Sequence, residues 1–441
     1  MNTINLRRSS NFSEEHILYP YGSMLNPKSS ERRLNVISGD GIFLVSKDGR
    51  RYIDAISGLW NVSLGYGNKE IENEIKKQLD VISFCSLFDN TSDTVLDNAK
   101  KLLDLHNGIM SKISYTCSGS ESIELAIKLM RKYWDDLGFI NKKTILSFNN
   151  SYHGTSYGAL SVSYDESEYF TQYKPGIGAI DKLDMCRENT DDCTQRNNCS
   201  FCNQLDKYIK ENYLTIAGVI IEPILLSMGV KDICPLLLKK LIDLCKYYDL
   251  LVTVDEVATG FYRTGVPFYY QKLNINPDIV CMSKGINSGY LPLGAVCFND
   301  KIVKVLSYSI KNSIIHGSTQ GGNILACAAS NVCIDIYKPI FSDKRIITLV
   351  ENFSNVLREE LKNICYIKCV RTNGILICIE FLKERFNFTL QDIIIVREQL
   401  KKDGLIVYPS HDGILILPMF ITKQSDYELI TTILKEYFTF R

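Results

Sequence analysis

Apolar and polar positions follow two rhythms along this chain. Short apolar, β-branched runs bounded by polar or turn residues read as strands buried on both faces. They fall at Thr144–Phe148, Gly218–Ile224, Leu250–Val254, Asp278–Met282 and Leu293–Phe298. Between them, apolar residues recur at helical spacing. Ile123, Ala126, Ile127, Met130 and Trp134 define one buried helix face, and Lys128, Arg131 and Lys132 turn the other way. Pro235 is placed to open a helix that runs to about Tyr248, and another spans about Lys69 to Leu79. Strands alternating with helices predict an α/β fold with a mostly parallel sheet and right-handed crossovers. Residues 1–40 are irregular and predict an extended arm. Ile42–Val45, a Lys47-Asp48-Gly49 turn and Tyr52–Ala55 then read as a hairpin. Residues 165–217 are more polar and less regular. From Ile346 the pattern becomes that of a smaller α+β lobe: a helix near Val350–Leu361, a strand at Ile375–Phe381 and a helix at Leu390–Lys402. Thr389 and Asp392 cap that last helix, Gly404 ends it, and short strands follow at Ile406–Tyr408 and Ile414–Leu417.

Candidate chemistry collects where the buried runs end. Leu250–Val254 runs into Asp255-Glu256, and Asp278–Met282 runs into Ser283-Lys284-Gly285. An acid and a lysine thus sit just past the carboxyl ends of two parallel strands, the edge where open α/β sheets hold ligands. A lysine there can form a Schiff base, and an aspartate can pair with a protonated pyridine nitrogen. Those are the two protein groups that pyridoxal phosphate chemistry requires most. Ser118-Gly119-Ser120 precedes the helix that carries Ile123. Alone it is an ordinary N-cap; with Asp255 and Lys284 it fits a phosphate site better. Tyr152, past the end of Thr144–Phe148, is placed either to stack on a flat cofactor or simply to pack in its loop. Glu222 lies near the carboxyl end of GVIIEPI, and Thr319 in HGSTQGG is a candidate phosphate donor or a plain helix-entry threonine. Cys186, Cys193, Cys199 and Cys202 form a C-x6-C-x5-C-x2-C cluster that can hold zinc or an iron–sulfur cluster. Only the last pair has a standard ligand spacing, and free thiols in a surface insertion are the alternative.

Composition narrows the classes. A chain of 441 residues is too long for one simple core. Fifty basic and fifty acidic residues cancel, which argues against a general nucleic-acid or anionic-membrane footprint. No apolar run reaches the ~20 residues of a membrane span. The start, MNTINLRRSSNF, has no apolar h-region, so fifteen cysteines read as reduced thiols and a cytoplasmic location is expected.

In order along the chain, HILYP, GLWNVSLGYG, SGSES, SYHGT, IIEPI, VDEVATGFYRTG, SKGINSGYLPLGAV and HGST make the whole resemble the class III (omega) aminotransferases. These are fold-type-I pyridoxal-phosphate enzymes. The resemblance implies a large domain with a mostly parallel seven-stranded sheet and a small α+β domain built from both termini. It implies an arm and part of the small domain over residues 1–65, the large domain over 66–325 with a cysteine-containing insertion at about 185–203, and the rest of the small domain over 326–441. It further implies that Lys284 forms the Schiff base with the cofactor and Asp255 pairs with the pyridine nitrogen. Tyr152 and Val257 would cover the two ring faces. Gly119 and Ser120 would hold the phosphate, and Glu222 would support the site near the ring. Thr319 would reach the phosphate of a neighbouring subunit, making a homodimer with active sites at its interface. Trp60 would line the substrate pocket. The implied reaction moves an amino group from an amine or amino acid to a ketone, aldehyde or keto acid, by way of a pyridoxamine form.

The chain departs from the family in its tail. Many members place an arginine there to grip a substrate carboxylate; in VYPSHDGILILPMF, Tyr408 stands at that position. Tyrosine offers no cationic fork, which points to a substrate without a free α-carboxylate, such as an amine or a peptide-linked carbonyl. Arg263 or Arg371 is placed to take over the carboxylate instead. A decarboxylase, racemase or aminomutase would begin with the same lysine and aspartate. A non-catalytic cofactor-binding or metal-sensing protein is the reading from another class.

Overall fold

A computed structural model describes residues 17–20, 33–163, 172–185, 199–309 and 313–440 of the chain. The apolar runs become strands of one central sheet: β1 (Lys112–Thr116), β2 (Thr144–Phe148), β3 (Ile180–Leu183), β4 (Ile216–Ile221), β5 (Leu251–Asp255), β6 (Ile279–Met282) and β7 (Gly294–Phe298). Across the seven-stranded sheet they lie in the order β1-β7-β6-β5-β4-β2-β3. From β3 to β6 every pairing is parallel. β7 runs antiparallel to both β6 and β1. Between Met282 and Gly294 the chain makes only a short 3₁₀ turn, and without a crossover helix it returns antiparallel.

Alternate residues of β4, β5 and β6 point to opposite faces and enter two separate cores. Ile220, Leu251 and Ile279 pack under Ile123, Ala126 and Met130 of the helix Gly119–Asp136. Val219, Val252 and Val280 enter the larger core on the other face, with Leu237, Leu241 and Ile324. Burial on both faces is why these strands read as unbroken apolar runs.

Outside the sheet, the hairpin Phe43–Ser46/Arg51–Asp54 forms as the alternation predicts, and Val36–Asp40 adds a third strand. Leu405–Ile406 then pairs in parallel with Arg51–Asp54, so distant parts of the chain share one four-stranded sheet. A second four-stranded sheet joins Ile367–Asn373, Leu376–Phe381, Gly413–Ile416 and Tyr408–Pro409.

Two stretches depart from the sequence reading. Within the polar region 165–217, β3 and the helix Ser200–Asn212 are both regular. β3 is a sheet edge with a single buried residue, Leu183, and the helix buries only Leu205 and Ile209, so neither carries a strong apolar period. The helix Ile324–Ser342 is, by length and composition, apolar enough to cross a membrane, with a mean hydropathy of 1.4. Its residues Ala326, Cys327, Ala329, Cys333 and Tyr337 are buried in the larger core, which accounts for that apolarity.

Candidate active site

Asp255 is the last residue of β5 and is buried. Its Oδ1 accepts from the Val257 amide (3.0 Å), and its Oδ2 lies 2.8 Å from His153 Nδ1. His153 stands in the loop after β2, with its amide donating to Ser163 Oγ (2.8 Å). Its Nε2 is buried and has no partner among the described residues. A neutral imidazole carries one proton, and the geometry assigns it to Nδ1, donated to Asp255. The imidazole therefore orients the carboxylate.

Lys284 enters the same space from the end of β6. Its Nζ sits 4.7 Å from the centre of the Trp60 ring. The side chain lines the cavity, and burial of its ammonium holds the pKa below the usual lysine value, against the pull of Asp255 and Glu222. Its backbone is left-handed, with φ +44°, which costs about 1–2 kcal/mol for an L-residue. The flanking groups are tied down: Ser283 Oγ donates to the Leu293 carbonyl (2.8 Å) and Tyr337 Oη to the Gly285 carbonyl (2.7 Å). Each such bond contributes about 1 kcal/mol net, so the pair is of the size of the strain it opposes.

Glu222 follows β4 and accepts from the Tyr152 amide (2.6 Å). Burial first, then the charge of Asp255, pushes its pKa well above the usual carboxyl range. Its neutral form is favoured as a result.

A cradle for an anion lies opposite. Ser118 caps the helix Gly119–Asp136 by accepting from the Glu121 amide (3.2 Å). A Cβ on Gly119 would come within 2.7 Å of Val257 Cγ1, and one on Gly154 within 2.2 Å of Ser120 Oγ. Gly154 also has φ +126°. These two glycines let the helix start, the Val257 segment and the Tyr152 loop approach one another, leaving backbone amides at the positive end of a long helix.

Trp60 closes the other side. Ser57, Gly58, Leu59 and Trp60 all have positive φ, 50° to 71°, and three of the four are not glycine. The Asp54 carboxylate holds this turn by accepting from the Ile56 (3.1 Å) and Gly58 (2.6 Å) amides and from Tyr66 Oη (2.6 Å). Ser57 Oγ donates to the Leu417 carbonyl (2.6 Å).

Trp60, Gly119, Ser120, Tyr152, Glu222, Asp255, Val257 and Lys284 all line one cavity, together with His153, Ile224 and Ser227. The set suits pyridoxal phosphate: a carboxylate for the ring nitrogen, an amine for the aldehyde, and a helix start for the phosphate. The other expected residues lie elsewhere. Tyr408 packs edge-on behind Trp60, ring centres 5.3 Å apart, and is not in the lining. Arg263 is fully buried under the Trp60 turn, where Nη1 donates to Ser57 Oγ (3.3 Å) and the Pro418 carbonyl (3.1 Å). Burial pulls its guanidinium down to about 10. Arg371 pairs with Glu380 and donates to the Gly229 carbonyl. Neither arginine faces the cavity. Thr319 is exposed on this chain's surface, away from its own cavity. Cys199 and Cys202 stand at the start of the helix Ser200–Asn212, while Cys186 and Cys193 fall outside the described residues. Among the described residues no group of three or more His, Cys, Asp or Glu is placed to hold a metal, so the zinc or iron–sulfur expectation finds no support.

His153 and the Ser57–Trp60 turn are the parts that sequence reasoning missed. The only signal for His153 was its place beside Tyr152, on the same sheet edge as Asp255.

The family model for class-III aminotransferases matches residues 25–438. An adenosylmethionine-8-amino-7-oxononanoate aminotransferase of Buchnera aphidicola subsp. Schizaphis graminum is 29% identical, over 96% of this chain and 95% of that protein. An acetylornithine aminotransferase of Aquifex aeolicus is 30% identical, over 91% of this chain and 96% of that protein. The crystal structure of an amine transaminase from an uncultivated Pseudomonas species, with pyridoxal phosphate bound, superposes with a TM-score of 0.90 at 26% identity, over 97% of this chain and 99% of the other.

Proposed function

The chain belongs to the class III aminotransferases, and we propose that it moves an amino group between small molecules at least one of which lacks a free α-carboxylate. The observation that carries this reading is the cavity lining, where Lys284 is the one lysine or arginine among the described residues. Bound pyridoxal phosphate supplies the electron sink that makes a substrate's α-proton acidic. Lys284 would take that proton from the substrate's α-carbon as base and give it up again as acid from the same side, completing the transfer. Its lowered pKa suits that work, since a lysine must be neutral to accept a proton. Asp255, held by His153, keeps the ring nitrogen protonated. Gly119 and Ser120 hold the phosphate at the helix start, Tyr152 and Val257 flank the ring, and Glu222 stands beside it. Thr319, exposed here, serves the phosphate of a second copy, so the working unit is a homodimer, and we place it in the cytoplasm.

On the substrate side, Trp60, Ile224 and Ser227 offer an aromatic face, an aliphatic wall and a hydroxyl. A carboxylate would meet no cationic fork there. A ketone, a simple amine or a peptide-linked carbonyl suits this wall better. The relatives named for adenosylmethionine and 8-amino-7-oxononanoate and for acetylornithine support small amine and keto substrates in general.

The test is the donor half-reaction, followed by the change in cofactor absorbance with no acceptor present. Butan-2-amine is expected to react at least as well as 3-aminobutanoate. Strong activity confined to free α-amino acids and keto acids would sink the reading. Conversion to the amine form of the cofactor by a donor alone also separates transamination from racemisation or decarboxylation on the same residues.

A further inference from the structure

We propose that Tyr337 is a positioning residue for Lys284, acting through the backbone rather than on the substrate. The inference rests on the reading of Lys284 given above. Tyr337 lies in the helix Ile324–Ser342 and is fully buried, against Phe261, Tyr262 and Phe420. Its hydroxyl donates to the carbonyl of Gly285 (2.7 Å), the residue that follows Lys284.

Gly285 is boxed on its other side. A Cβ there would meet Phe261 Cβ at 3.2 Å and Ser63 Oγ at 3.5 Å. The segment is pinned at further points: Ser283 Oγ on the Leu293 carbonyl (2.8 Å), Asn287 Nδ2 on the Leu291 carbonyl (2.7 Å), and Ser288 Oγ accepting from the Leu64 amide (2.9 Å). All of these except the tyrosine bond join the segment to loops. Tyr337 joins it to a long helix buried in the core, and it does so next to the left-handed residue itself. Backbone strain at a non-glycine residue persists only where its surroundings over-determine it. Without the hydroxyl, the Lys284 backbone loses its rigid anchor, and Nζ samples directions away from the α-carbon it must reach. Misplacement of a reacting group slows the chemical step more than it weakens binding.

Tyr337→Phe tests this, because it keeps the ring contacts and removes only the hydroxyl. The donor half-reaction with butan-2-amine is expected to slow about five- to tenfold at saturation, with KM within about twofold. Amide hydrogen exchange at residues 284–287, measured without substrate, is expected to speed up by a similar factor while β4 and β5 keep their protection. Gly285→Ala, which pushes the same segment against Phe261, is expected to give the same split. Wild-type exchange and wild-type rate in Tyr337→Phe would overturn the proposal. So would faster exchange spread through the whole sheet, which marks a folding defect. Borohydride trapping of the cofactor on Lys284 keeps the two readings apart. A variant that shows the local exchange change in a protein that never labels Lys284 would sink the functional assignment and leave the anchor standing.

Discussion

The two halves of the cavity are built differently. The half proposed to hold the cofactor stands on strand ends: Asp255 closes β5, Lys284 follows β6 and Glu222 follows β4, each a residue or two past a run buried on both faces. The substrate half has no such base. Trp60 comes from a strained turn and Ser227 from the loop between the short strands Ile224–Leu225 and Lys231–Asp232, while Tyr408, on a two-residue strand in a separate sheet, backs Trp60 from outside the lining. In the proposed reaction, the strand-end half carries the chemistry common to every substrate. Under the proposed function, the half assembled from loops is the one that selects the substrate.

The sharpest way to break the comparison is Lys284→Ala. It should lower turnover at least about a thousandfold with every amine, because Lys284 is the one amine among the described residues that line the cavity. A donor panel measures it, and retained turnover with any amine would show that the cofactor half is not the common engine. Tyr408→Arg comes next. A guanidinium behind Trp60 should raise the preference for 3-aminobutanoate over butan-2-amine about tenfold or more. An unchanged kcat/KM ratio would mean that the substrate half is not read at this position.

Glu380→Gln acts on the same half from further out. This buried carboxylate faces Lys368 (3.0 Å), Arg371 and Lys231 (4.0 Å), and Lys231 also pairs with Asp412. The His411 amide donates to the Ser227 carbonyl (3.3 Å), so this ion cluster clasps the loop that carries Ser227. Losing the carboxylate leaves cations without their partner. KM should rise a few-fold, about three to five, with kcat nearly unchanged. An equal fall in both would instead place Glu380 behind the chemistry.

The smallest effect is expected behind the cofactor half, at Glu256. Burial pushes its carboxyl from 4.5 to about 7, while it accepts from the Tyr270 amide (2.7 Å) and from Thr259. In that window the folded state keeps a proton that the unfolded state has lost, so stability falls as pH rises from 4.5 toward 7 and levels off above it. Glu256→Gln should flatten that decline, seen as a smaller drop in Tm between about pH 5 and 7. A steeper drop would reverse the assigned sign.

This division also explains what the sequence discloses. Asp255 and Lys284 were legible because an apolar strand points to its own end, so local pattern and position in the site coincide. The same logic located Glu222 and the Ser118–Ser120 helix start. Arg263 and Arg371 were visible as charges, but the carbonyl and hydroxyl acceptors that turn them were not: Ser57 and Pro418 lie more than a hundred residues from Arg263, and Gly229 lies more than a hundred from Arg371. Only the fold brings those acceptors in and turns the arginines away from the cavity. β3 and the helix Ser200–Asn212 were hidden for a different reason, since an edge strand and a narrow helix face bury too little to set a period.

The Ser57 hydroxyl reaches the Leu417 carbonyl, and Arg51–Asp54 pairs with Leu405–Ile406. On a ribosome, the turn that carries Trp60 emerges early but lacks those partners until more than three hundred further residues have been made. The β5 and β6 ends are already synthesised by then. The nascent protein can thus bring its lysine and aspartate together before the turn that carries Trp60 is tied to the tail.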